Sequence, residues 1–289
     1  MSTDAVPKKH LAFEALRIPG FPIFIATFTL TMMADSVEHV ISYWVAFQKF
    51  KSPALGGFAV ISHWLPFLLF SVGVGSLNDR FDSRRLIQIG GALFMVVSLG
   101  WGYCFVTDSL TIPIAMLLLC LHGLAGVFWS TSSQVLLYQI VGTERLASAV
   151  RLTATARYFG VLVGPAVGSL IMTVLGPAHG ILFNATLYLP LLVWLALTPS
   201  RRAKVVAGVR SRVYGIRDII DTIVAVRKIP VLGVSILLSG AASFFIGNSY
   251  HAQMPGFAAD LGGVEPGIAY SMLLGADAAG ALLAGIALE

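Results

Sequence analysis

The chain has 289 residues, 57% of them hydrophobic and 11% charged, with mean hydropathy +0.84 and a formal charge of +5. Soluble domains carry about 25% charged residues, so a water-soluble globular fold is excluded; about eight apolar runs near 20 residues long likewise exclude a soluble head on one anchor. The basic excess sits in short gaps between those runs, not on one face, and so marks membrane orientation and not nucleic-acid binding.

Residues 1–20 hold Lys8, Lys9, His10, Glu14 and Arg17, and the apolar run that follows lacks a small-residue cleavage site. This reads as a cytoplasmic N-terminus leading into an uncleaved first span. Spans are predicted near 21–47, 54–77, 86–107, 110–138, 146–175, 179–198, 230–252 and 266–289. Helices are the required form, because barrel strands alternate and run only about ten residues. With the N-terminus inside, Lys49 and Lys51 alone among the 19 Lys and Arg fall outside. The bias survives setting aside Arg151 and Arg157, which lie at the inner part of span five.

Ionisable groups at membrane depth are costly, which makes each a functional candidate. In span one Asp35, Glu38 and His39 are spaced three and four apart and share a helical face. Asp35 is the first candidate for proton or cation coupling; Glu38 and His39 lie nearer the outer end, where hydration is available. Spans two and three are joined by the charged turn Gly75–Arg85. Cys104 and Cys120 fall inside apolar runs, where a free thiol acts as a small hydrophobe, and no disulfide or metal framework is implied. His122 in span four is either a titrating group or a packed neutral histidine, and His63 and Gln134 are further cavity candidates. Arg157 can counter Asp35 or a substrate anion, whereas Arg151 is read as snorkelling to the interface.

In span five Gly160, Gly164 and Gly168 are four apart and form one smooth face for close helix packing. Pro165 beside them removes a backbone hydrogen bond and can bend the span. The stretch 199–229 is long and basic, with Val213, Ile216, Ile219, Ile220, Ile223 and Val224 at roughly helical spacing. It is an amphipathic surface helix or a plain linker. Asp277 in span eight lies deep in a Gly/Ala-rich run, as a functional group or a misfit. Trp44, Trp64, Trp101, Trp129 and Trp194 can stack on an aromatic substrate or serve as anchors and packing. The division is therefore a cytoplasmic N-terminus (1–20), a six-span bundle (21–198), a cytoplasmic linker (199–229) and the first two spans of a second bundle (230–289).

Gly75, Leu77, Asp79, Arg80 and Arg84 stand in register with the loop-two signature G-x-L-A-D-R-x-G-R-K, and together with six spans and a long middle loop they resemble the major facilitator superfamily. Asn78 replaces the usual alanine, Asp82 the second glycine and Ser83 an arginine. Gly160, Gly164, Pro165 and Gly168 resemble the antiporter motif G-x-x-x-G-P-x-x-G-G, with Ser169 at the last position. Leu118, His122 and Gly126 follow the fourth-span motif L-x-x-x-R-x-x-Q-G, with histidine for arginine and Ala125 for glutamine. The Asp79-Arg80-Phe81-Asp82 wording and the segment from Met254 to Gly263 are similar to the branch with enterobactin exporters and macrolide efflux proteins, which often carries an acid at the position of Asp35.

The resemblance implies an all-α major facilitator-type bundle in a bacterial inner membrane. It also implies proton-coupled (or sodium-coupled) efflux of a small amphipathic drug or siderophore by alternating access, with no cofactor, no metal and a monomeric full-length state. Asp79, Arg80 and Arg84 would then belong to a gate between the two halves. The family has twelve spans, so four are expected to be missing and the chain is read as a fragment or truncated frame. The alternatives are a non-transporting membrane protein or scaffold, or an uptake transporter of the same superfamily. No G-x-S-x-G, H-E-x-x-H or phosphate loop suggests an enzyme.

Overall fold

The computed structural model describes residues 13–198, 224, 226–242, 249–261 and 266–287. Among them the regular structure is helical. A 3-10 turn (Glu14–Arg17) leads into α1 (Phe21–Phe50), α2 (Pro53–Arg80), α3 (Ser83–Val106), α4 (Ile112–Val141), α5 (Leu146–Thr186) and α6 (Leu189–Leu197), and then α7 (Pro230–Ala242), α8 (Ser249–Asp260) and α9 (Pro266–Ala287). Helix starts follow local chemistry. The side chains of Ser52 and Asp82 accept the backbone N–H of Leu55 and Arg84, and proline sits in the first turn of α1, α2, α4 and α6, where its missing N–H forfeits no bond.

Among the described residues four helical stretches are long and apolar enough to cross a membrane: Pro53–Arg80, Ser83–Val106, Ile112–Val141 and Leu146–Leu197. Helix α1, with 30 residues, is of similar length but carries Asp35, Glu38 and His39 near its middle. Several helices outrun the apolar runs by about three residues, because backbone bonding continues into polar sequence. The predicted Gly75–Arg85 turn thereby contracts to Phe81 and Asp82, with Asp79 and Arg80 in the last turn of α2. The 199–229 helix falls almost wholly outside the described residues. The expected seventh span corresponds to α7 and the start of α8.

The break between the predicted fifth and sixth spans lies inside α5. Gly176 has φ 73° and ψ 164°, a conformation open only to glycine at low cost, and Pro177 follows. The chain doubles back there, so that a Cβ on Gly180 would lie 2.9 Å from the Ile171 side chain.

The bundle has two apolar layers stacked along its length. One holds Phe21, Phe24, Phe28, Ile87, Phe94 and Leu137; the other holds Val37, Ile41, Val97, Trp101, Leu119 and Ile181. Both draw on α1, α3, α4 and α5, and their boundary falls at Asp35 on α1, between Phe94 and Val97 on α3, and at His122 on α4. A third cluster joins Val40 and Trp44 of α1 to Met254 and Ala258 of α8 and Tyr270 of α9.

At the end of the bundle near Arg145, that side chain pairs with Glu14 at 3.2 Å. At the opposite end Lys49 reaches Asp108 at 2.5 Å. The Lys49 hydrogen bond holds the exposed Asp108 carboxyl below its ordinary value. This tie is present above the ordinary carboxylate range and is lost as pH falls through the depressed value; full exposure keeps its contribution small.

The α1–α5 contact is made by the predicted glycine face. A Cβ on Gly160 would meet Met32 Cβ at 2.7 Å, one on Gly164 would meet Ser36 Cβ at 2.5 Å, and one on Gly168 would meet Val37 Cα at 3.3 Å. Gly75 differs, since a Cβ there meets no described atom within 4 Å. Gly164→Ala is therefore expected to destabilise the bundle by about 1–3 kcal/mol through overpacking. Gly75→Ala is expected to leave it unchanged or raise it by up to about 1 kcal/mol through helix propensity. Unfolding in detergent micelles distinguishes the two signs.

Candidate functional site

The ionisable side chains of α1 gather at the boundary between the apolar layers. Asp35 lies at the midpoint of α1, and Ser98, His63 and His122 each lie about one helical turn, or about 5.4 Å, from the midpoints of α3, α2 and α4. A polar group at this depth needs an internal partner, and the cluster supplies one for nearly every atom.

Glu38 is 1% exposed. Its Oε1 faces His122 Nδ1 at 2.7 Å, and its Oε2 accepts the hydroxyl of Ser98. This corrects the expectation that Glu38 is hydrated toward the outer end: the three-residue step from Asp35 turns it inward between α3 and α4. The other nitrogen of His122, Nε2, lies 3.0 Å from Asp35 Oδ1, out of line for a hydrogen bond. His39 Nδ1 lies 3.5 Å from Asp35 Oδ2. Phe94 packs edge-on against His122 at 4.9 Å and stacks on Tyr188 at 5.3 Å, which fixes the imidazole from behind.

His63 completes a group of three imidazoles. Its ring centroid is 5.2 Å from that of His39 and 5.6 Å from that of His122, while His39 and His122 are 4.7 Å apart. One nitrogen from each lies within 4.8 Å of the others. Backbone approach brings them together: a Cβ on Gly123, next to His122, would lie 2.0 Å from the carbonyl oxygen of Ser62, next to His63. Only glycine permits α2 and α4 to touch so closely.

A cavity of about 240 Å³ opens beside the cluster, walled by Asp35, His39, His63, Trp64, Arg157 and Pro165, with Tyr270 and Asp277 contributed by α9. Arg157 therefore shares the cavity with Asp35, whose ion pairs are to the imidazoles of His39 and His122. A smaller pocket of about 40 Å³ continues from Asp35 and Arg157 toward Trp129 and Ser130. Gln134 is exposed on α4 and is not among these walls. Ser98, which closes the bonding around Glu38, escapes sequence reasoning, because a lone serine in an apolar helix carries no signal.

Within this bundle the turn residues divide between the surface and internal partners. Asp79 and Arg80 are exposed. Arg84 bonds Asp82 at 3.2 Å and the Thr198 carbonyl, which fastens the start of α3 to the end of α6 within this bundle. Asp82, at the position of the signature's second glycine, is the α3 cap. Asn78, at the alanine position, is buried and donates to Ser132 Oγ of α4 at 3.0 Å.

Over residues 11–289 the chain matches the family described as transmembrane secretion effector. It is also 30% identical over 196 residues to the multidrug efflux pump LfrA of Mycolicibacterium smegmatis. That alignment covers 66% of this chain and 36% of the pump, so the chain spans little more than a third of its relative's length.

Removing one member of a buried charge pair strands the other and costs about 3–5 kcal/mol. His122→Ala is therefore expected to lower stability by that order, while Glu38→Gln, which keeps an acceptor for Ser98, costs less. Chemical unfolding of the purified variants checks the order.

Proposed function

The chain belongs to the transmembrane secretion effector family of the major facilitator superfamily, and from that premise we propose that it takes part in proton-coupled efflux of a small amphipathic compound by alternating access. Membership makes it a multi-pass membrane protein of a transporter family, not an enzyme family. Efflux is favoured by the likeness to a multidrug efflux pump. The observation that carries the coupling is the Asp35–His39–His122–Glu38 cluster, which borders the 240 Å³ cavity at mid-helix depth.

In this reading Asp35 and its imidazole partners hold the coupling proton, or alternatively sodium. Arg157 and Trp64 meet the substrate across the same cavity, charge on one side and an aromatic face on the other. Gly160, Gly164, Pro165 and Gly168, the antiporter-type motif, hold α1 closely against α5 beside Asp35, so that the cluster keeps its place while the halves move. The two halves of the transporter rock about the midplane site. Gly75, Leu77, Asp79, Arg80 and Arg84 form the inner gate, with exposed Asp79 and Arg80 as its contact groups. The basic bias supports a cytoplasmic N-terminus in a bacterial inner membrane. Residues 199–229 link the six-span half to the second half.

Cells producing the protein are expected to accumulate less of an amphipathic fluorescent dye than control cells, and an uncoupler should remove the difference. Asp35→Asn is expected to reduce the gradient-driven part at least tenfold while Lys49→Met leaves it intact. Undiminished efflux by Asp35→Asn would refute the coupling assignment. Raised accumulation would indicate uptake.

A further inference from the structure

The three imidazoles have a geometry that proton handling alone does not demand. A tetrahedral zinc-class ion holds its histidine nitrogens at about 2.0–2.1 Å. With roughly 1.1 Å from a ring nitrogen to its centroid, three such ligands hold their ring centroids about 5.2 Å apart. The observed separations are 4.7, 5.2 and 5.6 Å. The nitrogens themselves lie within 4.8 Å of one another, so that an ion would draw them together by about 1.4 Å at most to reach the roughly 3.4 Å of a tetrahedral set.

Two further observations point to a cation. His63 Nδ1 is buried and makes no hydrogen bond, and buried polar atoms seldom stay so without a reason. His122 also has the arrangement of a metal-ligating histidine, with its far nitrogen, Nδ1, held by the Glu38 carboxylate at 2.7 Å. Such a carboxylate fixes the ring and leaves the opposite nitrogen facing the metal. That nitrogen lies 3.0 Å from Asp35 Oδ1, close to the separation of two ligands on one ion.

We propose that His39, His63, His122 and Asp35 form a binding site for a divalent transition-metal ion of the zinc class, with Glu38 as the group that orients His122. Charge favours this occupant. Two carboxylates and a divalent ion sum to zero, so the site becomes neutral where an uncompensated charge is most costly. Imidazole and carboxylate together suit zinc, cobalt or nickel better than the all-oxygen preference of magnesium or calcium. Sequence spacing does not suggest the site, and the expectation of no metal followed from that. The ligands come from three helices and meet only because Gly123 lets α2 touch α4.

The test uses the full chain, purified in detergent, freed of any affinity tag and stripped with a chelator. Cobalt(II) is then titrated while visible absorption is followed. One ion per chain with the intense bands of tetrahedral cobalt is expected, displaced by zinc. His63→Leu and His39→Gln should each lose the bands, and Glu38→Gln should keep them with affinity lowered about 10–100-fold. His179→Ala, which removes an exposed imidazole, should change nothing. A wild-type chain that shows no tetrahedral cobalt spectrum overturns the proposal without recourse to any variant. So does stoichiometric binding that survives in monodisperse His63→Leu and His39→Gln. Metal binding by the purified chain stands or falls independently of dye efflux.

Discussion

The structure depends on keeping Glu38 satisfied in an apolar interior. A carboxylate that is 1% exposed needs charge-assisted partners on each oxygen, and it finds them on two other helices, Ser98 on α3 and His122 on α4. That requirement sets the rotation of α1. With Glu38 facing inward, Asp35 and His39 turn toward the cavity, while Val37 and Ile41 enter the second apolar layer. A different rotation of α1 would strand the acid and turn Val37 and Ile41 out of that layer.

Close approach is the second constraint, and it is met by absent side chains. Gly160 and Gly164 bring α5 against α1 at the level of Asp35, and Gly123 brings α4 against α2 at the level of His63. Asn184 adds a bond from its amide to the Ala34 carbonyl at 3.0 Å, which pins the returning limb of α5 one residue from Asp35. The polar cluster and the tight contacts therefore occupy the same depth, where small residues and polar bonds together take over the role that hydrophobic burial plays in water.

Much of this is legible in the sequence. The helical runs, the glycine face on span five and the mid-helix placement of Asp35 follow from patterns local to one segment. What escapes is whatever depends on two segments at once. Glu38 looks peripheral when span one is read alone, because its burial is decided by α3 and α4. His63 carries no motif, since its partners stand 24 and 59 residues away along the chain. The signature turn is legible as a family mark but not in its bonding: Asp82 caps α3, Arg84 holds the end of α6, and Asn78 is committed to Ser132. Asp79, Arg80, Phe81 and Arg85 are the exposed side chains of the turn.

The position of the cluster between two apolar layers bears on how such a protein could alternate. The layer that includes Phe24, Phe94 and Leu137 closes one end, and the layer that includes Ile41, Trp101 and Leu119 closes the other. Between them Asp35 borders the side cavity walled by α1, α2, α5 and α9, and a smaller pocket runs from it toward Trp129 and Ser130. On the transport reading, access must change where α9 meets this half, because the interior of the half is packed and its acids are tied to one another. The cluster is then a fixed point about which the halves move, and its occupancy, by a proton or by a metal ion, governs the charge that the closed state must accommodate.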